Sequence, residues 1–303
     1  MTLFDETVGD MMSESILGRA QERDLIRIEA HQIRDYTLNR QKQVDDYPYG
    51  GGRGAVMQAD PLYQCWKHIV DTYGPGRTIY MSPAGKTFDQ AAAKRLKNDY
   101  DHLILVCGHY EGIDERFIEE CVDEELSMGD FVLTGGEIPA MAVADAVARM
   151  VPGVLPDPEC FEEESHYNGM LEYPQYSRPE VWHDRAVPSI LLSGHHANIA
   201  KWRRKQALLR TRTRRPDLYA RLDLSSKSDQ KLLRELEAED PEPPPLPDAI
   251  LPFSAENMHF FSPGYTNFRG TALSCLRQLS QDFLELSCCS GTFFVKIQGK
   301  SLN

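Results

Sequence analysis

Several stretches of this chain carry residue types whose spacing suits chemistry. Gly50-Gly51-Gly52-Arg53-Gly54 lets backbone amides approach a ligand closely and adds an arginine for a phosphate. No Gly-Lys-Ser/Thr follows it, and it is not G-x-G-x-x-G after a strand, so a flexible loop is an equal alternative. Gly108-His109-Tyr110-Glu111-Gly112 lies where an apolar run meets a helical pattern, and open α/β sheets bind ligands at such strand ends. Glu111, between glycines, points to a polar or cationic ligand group. Asp114 and Glu115 read instead as acids that cap the next helix and favour its dipole. Leu133-Thr134-Gly135-Gly136-Glu137 repeats the pattern; its backbone could hydrogen-bond a flat heterocycle, or it is an ordinary turn. With Tyr80-Met81-Ser82-Pro83 added, one ligand crevice explains these strand ends better than three unrelated turns.

Charged side chains supply the remaining candidates. Arg149 sits on an otherwise apolar helix, where it either snorkels to the surface or faces an anion. Glu162-Glu163-Glu164-Ser165-His166 is either a solvated acidic face or the source of a general base. Between Lys201 and Arg221, nine Lys/Arg stand against the single acid Asp217, interleaved with Trp202 and Tyr219. That pattern suits a phosphate backbone, unless the helix pairs with the acidic remainder of the chain. His195 and His196 are adjacent and share no face, which argues against a two-His metal site.

These residues need elements to hold them. Ile79–Met81, Leu103–Cys107 and Phe131–Thr134 are predicted as strands buried on both faces. Helices are predicted from an N-cap at Asp60 with Pro61 in the first turn through Ile69, over 113–122, and over the Ala-rich, nearly all-apolar stretch 139–150. The alternation over 1–160 predicts an α/β domain with a mostly parallel sheet. Residues 161–181 read as an interdomain loop and 182–240 as a helical region. That region has a basic helix from Ile199 and a last helix over Ser228–Glu239. Six prolines over 241–252 predict an extended linker, and no function follows for 253–303.

The length of 303 residues suggests about two domains. With 41% hydrophobic and 26% charged residues, neither a disordered polyelectrolyte nor a collagen-like fibre fits. No apolar run approaches the roughly 18 residues of a membrane span, so no membrane partner is expected. The first residues lack the regions of a secretory signal. Seven cysteines without a C-x-x-C pair argue against a disulfide framework or zinc ribbon and for the cytoplasm. The net charge of −13 argues against nonspecific nucleic-acid coating but permits one local basic site.

Six motifs in order carry a resemblance: Ser13-Glu14-Ser15-Ile16-Leu17-Gly18-Arg19-Ala20, Tyr49-Gly50-Gly51-Gly52, Cys107-Gly108-His109-Tyr110-Glu111-Gly112, Gly129-Asp130-Phe131-Val132-Leu133-Thr134-Gly135-Gly136-Glu137, Tyr173-Pro174-Gln175-Tyr176-Ser177-Arg178-Pro179 and Ser193-Gly194-His195-His196. Each alone is weak, but together they closely resemble the bacterial tRNA (guanine-N1)-methyltransferases over about residues 2–239. The resemblance implies a SPOUT-type α/β fold with a deep trefoil knot, followed by a small helical tRNA-binding domain. It implies a homodimer with its sites at the interface. It also implies methyl transfer from S-adenosylmethionine to N1 of guanosine 37 in tRNA, with magnesium in support.

Carried over by position, the donor site comprises Tyr80, Met81, Ser82, Pro83, Gly108, Glu111, Met128, Gly129, Phe131, Leu133, Gly135 and Gly136. Arg149 matches the family's catalytic arginine. Glu164 stands where the family commonly carries an aspartate base, a departure of one methylene. Two further departures stand out. The family usually begins with a strand ahead of Thr2-Leu3-Phe4, whose loss would bare an apolar sheet edge, and residues 241–303 extend past the family's usual end. Two other readings compete. One is a non-catalytic tRNA- or RNA-binding protein of the same fold. The other is a nicotinamide-dependent dehydrogenase, which the missing dinucleotide fingerprint disfavours.

Overall fold

The computed structural model describes residues 1–157 and 159–239, with 288–289 and 292–293. The proline-rich linker and nearly all of the tail lie outside the described residues. The chain divides into a unit of Met1–Pro244 and a unit of Pro245–Asn303. In the second, Cys288–Cys289 pairs antiparallel with Thr292–Phe293.

The first unit opens with α1 (Asp5–Met12), α2 (Ser15–Glu22) and a 3-10 turn over Ile33–Tyr36. A short antiparallel ribbon, β1 (Asp45–Asp46) with β2 (Val56–Met57), brackets the glycine loop. Next comes α3 (Ala59–Tyr73), which buries Leu62, Cys65 and Ile69 at the predicted helical spacing. The expected cap at Asp60 is corrected: Gln58 holds the N-cap position. Asp60 sits inside the first turn and accepts from the Gln64 amide at 3.2 Å.

The sheet follows, with β3 (Arg77–Thr87), α4 (Gln90–Asp99), β4 (Leu103–Cys107), α5 (Glu115–Cys121) and β5 (Glu124–Ser127). Strand order is β4-β3-β5, and both outer strands run parallel to β3. Side chains alternate between two cores. Tyr80, Ile104 and Val106 join Leu62 and Phe117 on one face; Ile79, Met81, Cys107 and Leu126 join Leu96, Ala140 and Val143 on the other. The strands are therefore covered on both faces, as their unbroken apolar runs require. Asp89 and Asp114 cap α4 and α5 by accepting from the backbone N–H of Ala92 and Arg116.

The third strand differs from expectation. It is Glu124–Ser127, and Phe131–Thr134 is not a strand. Phe131, Val132 and Leu133 stay 55%, 81% and 39% exposed. Gly129, at φ +137°, turns the chain out of the sheet, so the apolar run lies along a surface. α6 (Glu137–Ala148) begins two residues earlier than predicted and packs through Ala140, Val143 and Val147.

The β4 edge is not bare. The Cys107 N–H donates to the Met1 carbonyl at 3.0 Å, and the Met1 amine donates to the Leu105 carbonyl at 2.9 Å. Met1 and Leu3 are both buried.

Beyond α6 lie α7 (Glu159–Glu162), an irregular stretch, and a hairpin of β6 (Val181–Trp182) with β7 (Arg185–Ala186). Four helices follow: α8 (Ser189–Leu192), α9 (His196–Arg214), α10 (Pro216–Tyr219) and α11 (Lys227–Glu239). α9 and α11 share a small core of Leu208, Leu232 and Leu236. The basic helix does pair in part with acids, through Lys201–Glu235, Arg204–Asp229 and Arg215–Asp217.

Arg204 binds Asp229 with two hydrogen bonds, at 2.9 and 3.1 Å, and Ser226 adds a third at 2.9 Å. The Arg204 guanidinium holds the Asp229 carboxyl below its usual range. A depressed carboxyl stabilises the fold above the unfolded value of about 3.9, and that stability is lost as pH falls through the folded value. Asp229→Asn is therefore expected to lower the melting temperature at pH 7 and to flatten its decline below about pH 4. Circular dichroism melts across pH check this.

Candidate functional site

The middle of β3, the carboxyl end of β4 and the segment that leaves β5 enclose a cleft of about 530 Å³. Small-molecule sites span roughly 300–1,000 Å³ and favour strand ends of parallel sheets. Eleven of the twelve residues assigned to a donor site line it: Tyr80, Met81, Ser82, Pro83, Gly108, Glu111, Met128, Phe131, Leu133, Gly135 and Gly136. Gly129 does not. It makes the bend behind the wall, where its N–H donates to Ser127 Oγ at 3.1 Å.

The cleft depends on backbone meeting backbone. β5 lies across β3 from β4, yet the chain after β5 returns to the β4 tip. There the Gly136 N–H donates to the Gly108 carbonyl at 2.9 Å, and Gly135 bridges His109. A Cβ on Gly136 would stand 2.7 Å from Cys107 Cα and 3.0 Å from Gly108 N. Residues 128–136 therefore pass over the end of β3 and close the cleft against β4.

The glycine loop touches the same site. The Glu111 N–H donates to the Ala55 carbonyl at 3.0 Å, and a Cβ on Gly54 would meet Glu111 Oε1 at 2.4 Å. Gly54 has φ +87°, so both sterics and backbone favour glycine there. Gly50 and Gly51 face open space.

Electrostatics narrow the chemistry of the walls. Burial raises the Tyr80 phenol, which stays protonated at neutral pH. Burial pushes the Cys107 thiol up to about 12, so Cys107 packs rather than attacks. Sequence reasoning missed other cleft residues, among them Tyr110, Ile113 and Ser127. It also missed the role of Glu137. Glu137 is buried, its Oε2 lies 2.7 Å from His109 Nε2, and its Oε1 accepts from Thr2 Oγ1 at 2.6 Å. Its position beside Gly135-Gly136 was the only signal in the sequence.

Arg149 and Glu164 do not line the cleft. They meet each other: the guanidinium at the end of α6 donates to Glu164 Oε2 at 2.5 Å and to Oε1 at 2.9 Å. The anion that Arg149 faces is therefore Glu164, in a bidentate pair that is about one-third exposed on both sides. Gly136 precedes α6 and Arg149 follows its twelve residues. Pro139 in the first turn of α6 still lines the cleft, so at 1.5 Å per residue the helix carries Arg149 about 15 Å along its axis from that wall.

Among the described residues, no three His, Cys, Asp or Glu side chains are grouped to hold a metal ion. No described helix is long and apolar enough to cross a membrane.

A parallel sheet with a glycine-closed cleft beside its strands, followed by helices rich in Lys and Arg, defines an α/β protein with a cleft of small-ligand size. Comparison with known proteins gives the family. The family model for tRNA (Guanine-1)-methyltransferase TrmD matches residues 1–221. A tRNA (guanine-N(1)-)-methyltransferase of Ruminiclostridium cellulolyticum is 54% identical over 223 residues, covering 73% of this chain and 95% of that protein. Proteins of the same name from Clostridium novyi and Alkaliphilus oremlandii are 52% and 50% identical over 233 and 244 residues. They cover 77% and 78% of this chain and 95% and 97% of their own lengths. The chain belongs to the tRNA (guanine-1)-methyltransferase family.

Proposed function

We propose that this protein transfers the methyl group of S-adenosylmethionine to N1 of guanosine 37 in tRNA, leaving 1-methylguanosine and S-adenosylhomocysteine. The observation that carries the reading is the strand-tip cleft, closed where Gly136 meets Gly108, in a chain of this family. The cleft volume suits a small flat heterocycle, and its wall glycines Gly108, Gly135 and Gly136 stand too close to neighbouring protein atoms to carry a side chain.

When bound, S-adenosylmethionine supplies a methyl already activated by its sulfonium. N1 of neutral guanine carries a proton and is a poor nucleophile. Glu164 accepts that proton as the N1–methyl bond forms and the methyl–sulfur bond breaks. Negative charge moves toward guanine O6, where the Arg149 guanidinium stabilises it. The bidentate pair orients the carboxylate beforehand, and guanine replaces one of its two contacts. Arg149→Ala is expected to lower kcat by about 10²–10³-fold while donor binding persists, read by single-turnover assays and calorimetry.

In this reading residues 1–160 form the catalytic domain, with the SPOUT trefoil knot at its carboxyl-terminal half. Residues 161–181 link it to a tRNA-binding region at 182–240, and 241–303 form an appended tail. The reading also requires a homodimer in the cytoplasm. About 15 Å of α6, from Pro139 to Arg149, sets the Arg149–Glu164 pair apart from the cleft of its own chain. A site at the subunit interface lets the pair of one subunit serve the cleft of the other. Exposed Met11, Phe131, Val132 and Ile138 supply apolar surface for that contact.

Mass spectrometry of nucleosides tests the reading. A tRNA with G at positions 36 and 37, incubated with the protein and S-adenosylmethionine, yields 1-methylguanosine; a tRNA with A at position 37 yields none there. Absence of the product from the first tRNA while both ligands bind would leave the non-catalytic RNA-binding reading instead.

A further inference from the structure

We propose that Thr2, Glu137 and His109 form a brace that sets the donor cleft, so that Thr2 and Glu137, which lie outside its lining, tune its affinity. The proposal rests on the reading that the cleft takes S-adenosylmethionine. The cleft has two walls of loop, 108–113 after β4 and 128–136 after β5. The second wall is largely free along its length, with Phe131 and Val132 more than half exposed. Its far end is tied to the first wall by the Gly136–Gly108 hydrogen bond, the His109–Gly135 bridge and one side-chain contact. That contact is His109 Nε2 to Glu137 Oε2 at 2.7 Å, between groups only 15% and 11% exposed.

Glu137 does not line the cleft, and neither does Thr2. The second Glu137 oxygen accepts from Thr2 Oγ1 at 2.6 Å, and that same hydroxyl accepts from the Phe4 N–H at 2.9 Å. Phe4 in turn packs its ring 5.2 Å from the His109 ring. Both carboxylate oxygens are thus committed, one to each side of the brace. A buried carboxylate that loses one partner is left with an unsatisfied oxygen, and it recovers that hydrogen bond only by moving. Movement of Glu137 displaces the first turn of α6 and Gly135-Gly136 with it. Thr2 and Glu137 are positioning residues that act on the ligand through the glycine wall, and His109 joins them to the lining itself.

The test uses the full chain with Thr2→Val and His109→Leu, singly and together, beside the conservative Thr2→Ser and His109→Gln. Calorimetry measures S-adenosylmethionine affinity, filter binding measures tRNA affinity without the donor, and thermal melts follow stability. Each disruptive variant is expected to weaken donor affinity about tenfold, with the pair losing less than the sum because both act through Glu137. Thr2→Ser and His109→Gln retain a donor for the carboxylate and restore affinity to within about twofold. tRNA binding without the donor stays at the wild-type value. Donor affinity that holds while the melting temperature falls would show a purely structural contact and overturn the brace, as would losses that the conservative variants fail to restore. Thr2, which lies outside the cleft lining, carries the test by itself if the His109 variant does not fold. Wild-type protein that binds no S-adenosylmethionine overturns the functional reading itself; wild-type binding with unchanged variants overturns only the brace.

Discussion

Glu164→Gln lowers methyl transfer at saturating donor and tRNA by about 10²- to 10⁴-fold, the usual contribution of a positioned general base. The substitution keeps the length and shape of the side chain. The amide oxygen still accepts from Arg149, so one of the two contacts at 2.5 and 2.9 Å survives and the surrounding chain has no reason to move. What disappears is the ability to take the N1 proton. The loss therefore falls on the chemical step, seen in single-turnover rates, and calorimetric affinity for S-adenosylmethionine persists because Glu164 does not line the cleft. Near-wild-type turnover would remove Glu164 as the base. Glu164→Asp examines reach separately, since it retains the carboxylate and shortens the side chain by one methylene.

Gly136→Ala acts by steric means. Its new Cβ would stand 2.7 Å from Cys107 Cα and 3.0 Å from Gly108 N, both backbone atoms of the β4 tip. No rotamer change relieves that overlap. The start of α6 has to withdraw from β4, and the Gly136–Gly108 hydrogen bond lengthens with it. The expected result is at least about tenfold weaker donor binding, with a stability loss of roughly 1–3 kcal/mol from overpacking. Gly9→Ala is the matched control. Gly9 lies in α1 with nothing within 4 Å of its Cβ position, so alanine there is expected to raise stability by roughly 0.5–1 kcal/mol. Calorimetry and thermal melts on both variants separate close backbone approach from a general effect of added methyl groups.

The sequence reveals most where chemistry is local. Leu103–Cys107 reads as a buried strand because an apolar run of that length has few alternatives, and it is β4. Asp114 reads as a cap because an acid before a helical pattern satisfies free backbone donors, and it accepts from the Arg116 N–H at 3.0 Å. Phe131–Thr134 misleads because an apolar run looks the same along a cleft or surface as inside a sheet. Only its neighbours in space decide between them, and those come from distant β3 and β4. Arg149 was equally open between solvent and an anion, since its partner is fifteen positions away across irregular chain. The contact from Thr2 to Glu137 spans 135 positions and follows from no local pattern.

The path of residues 128–136 also bears on how the molecule assembles. β3 and β4 pair across one intervening helix, whereas the return from β5 to the β4 tip has a seat only after that parallel pair exists. The glycine wall thus needs that platform in place, and its closure onto the β4 tip adds to the non-local contacts that slow refolding in general. α6, which completes the cover on one face of the sheet, starts directly from that wall, so closing the cleft and sealing that face belong to the same event.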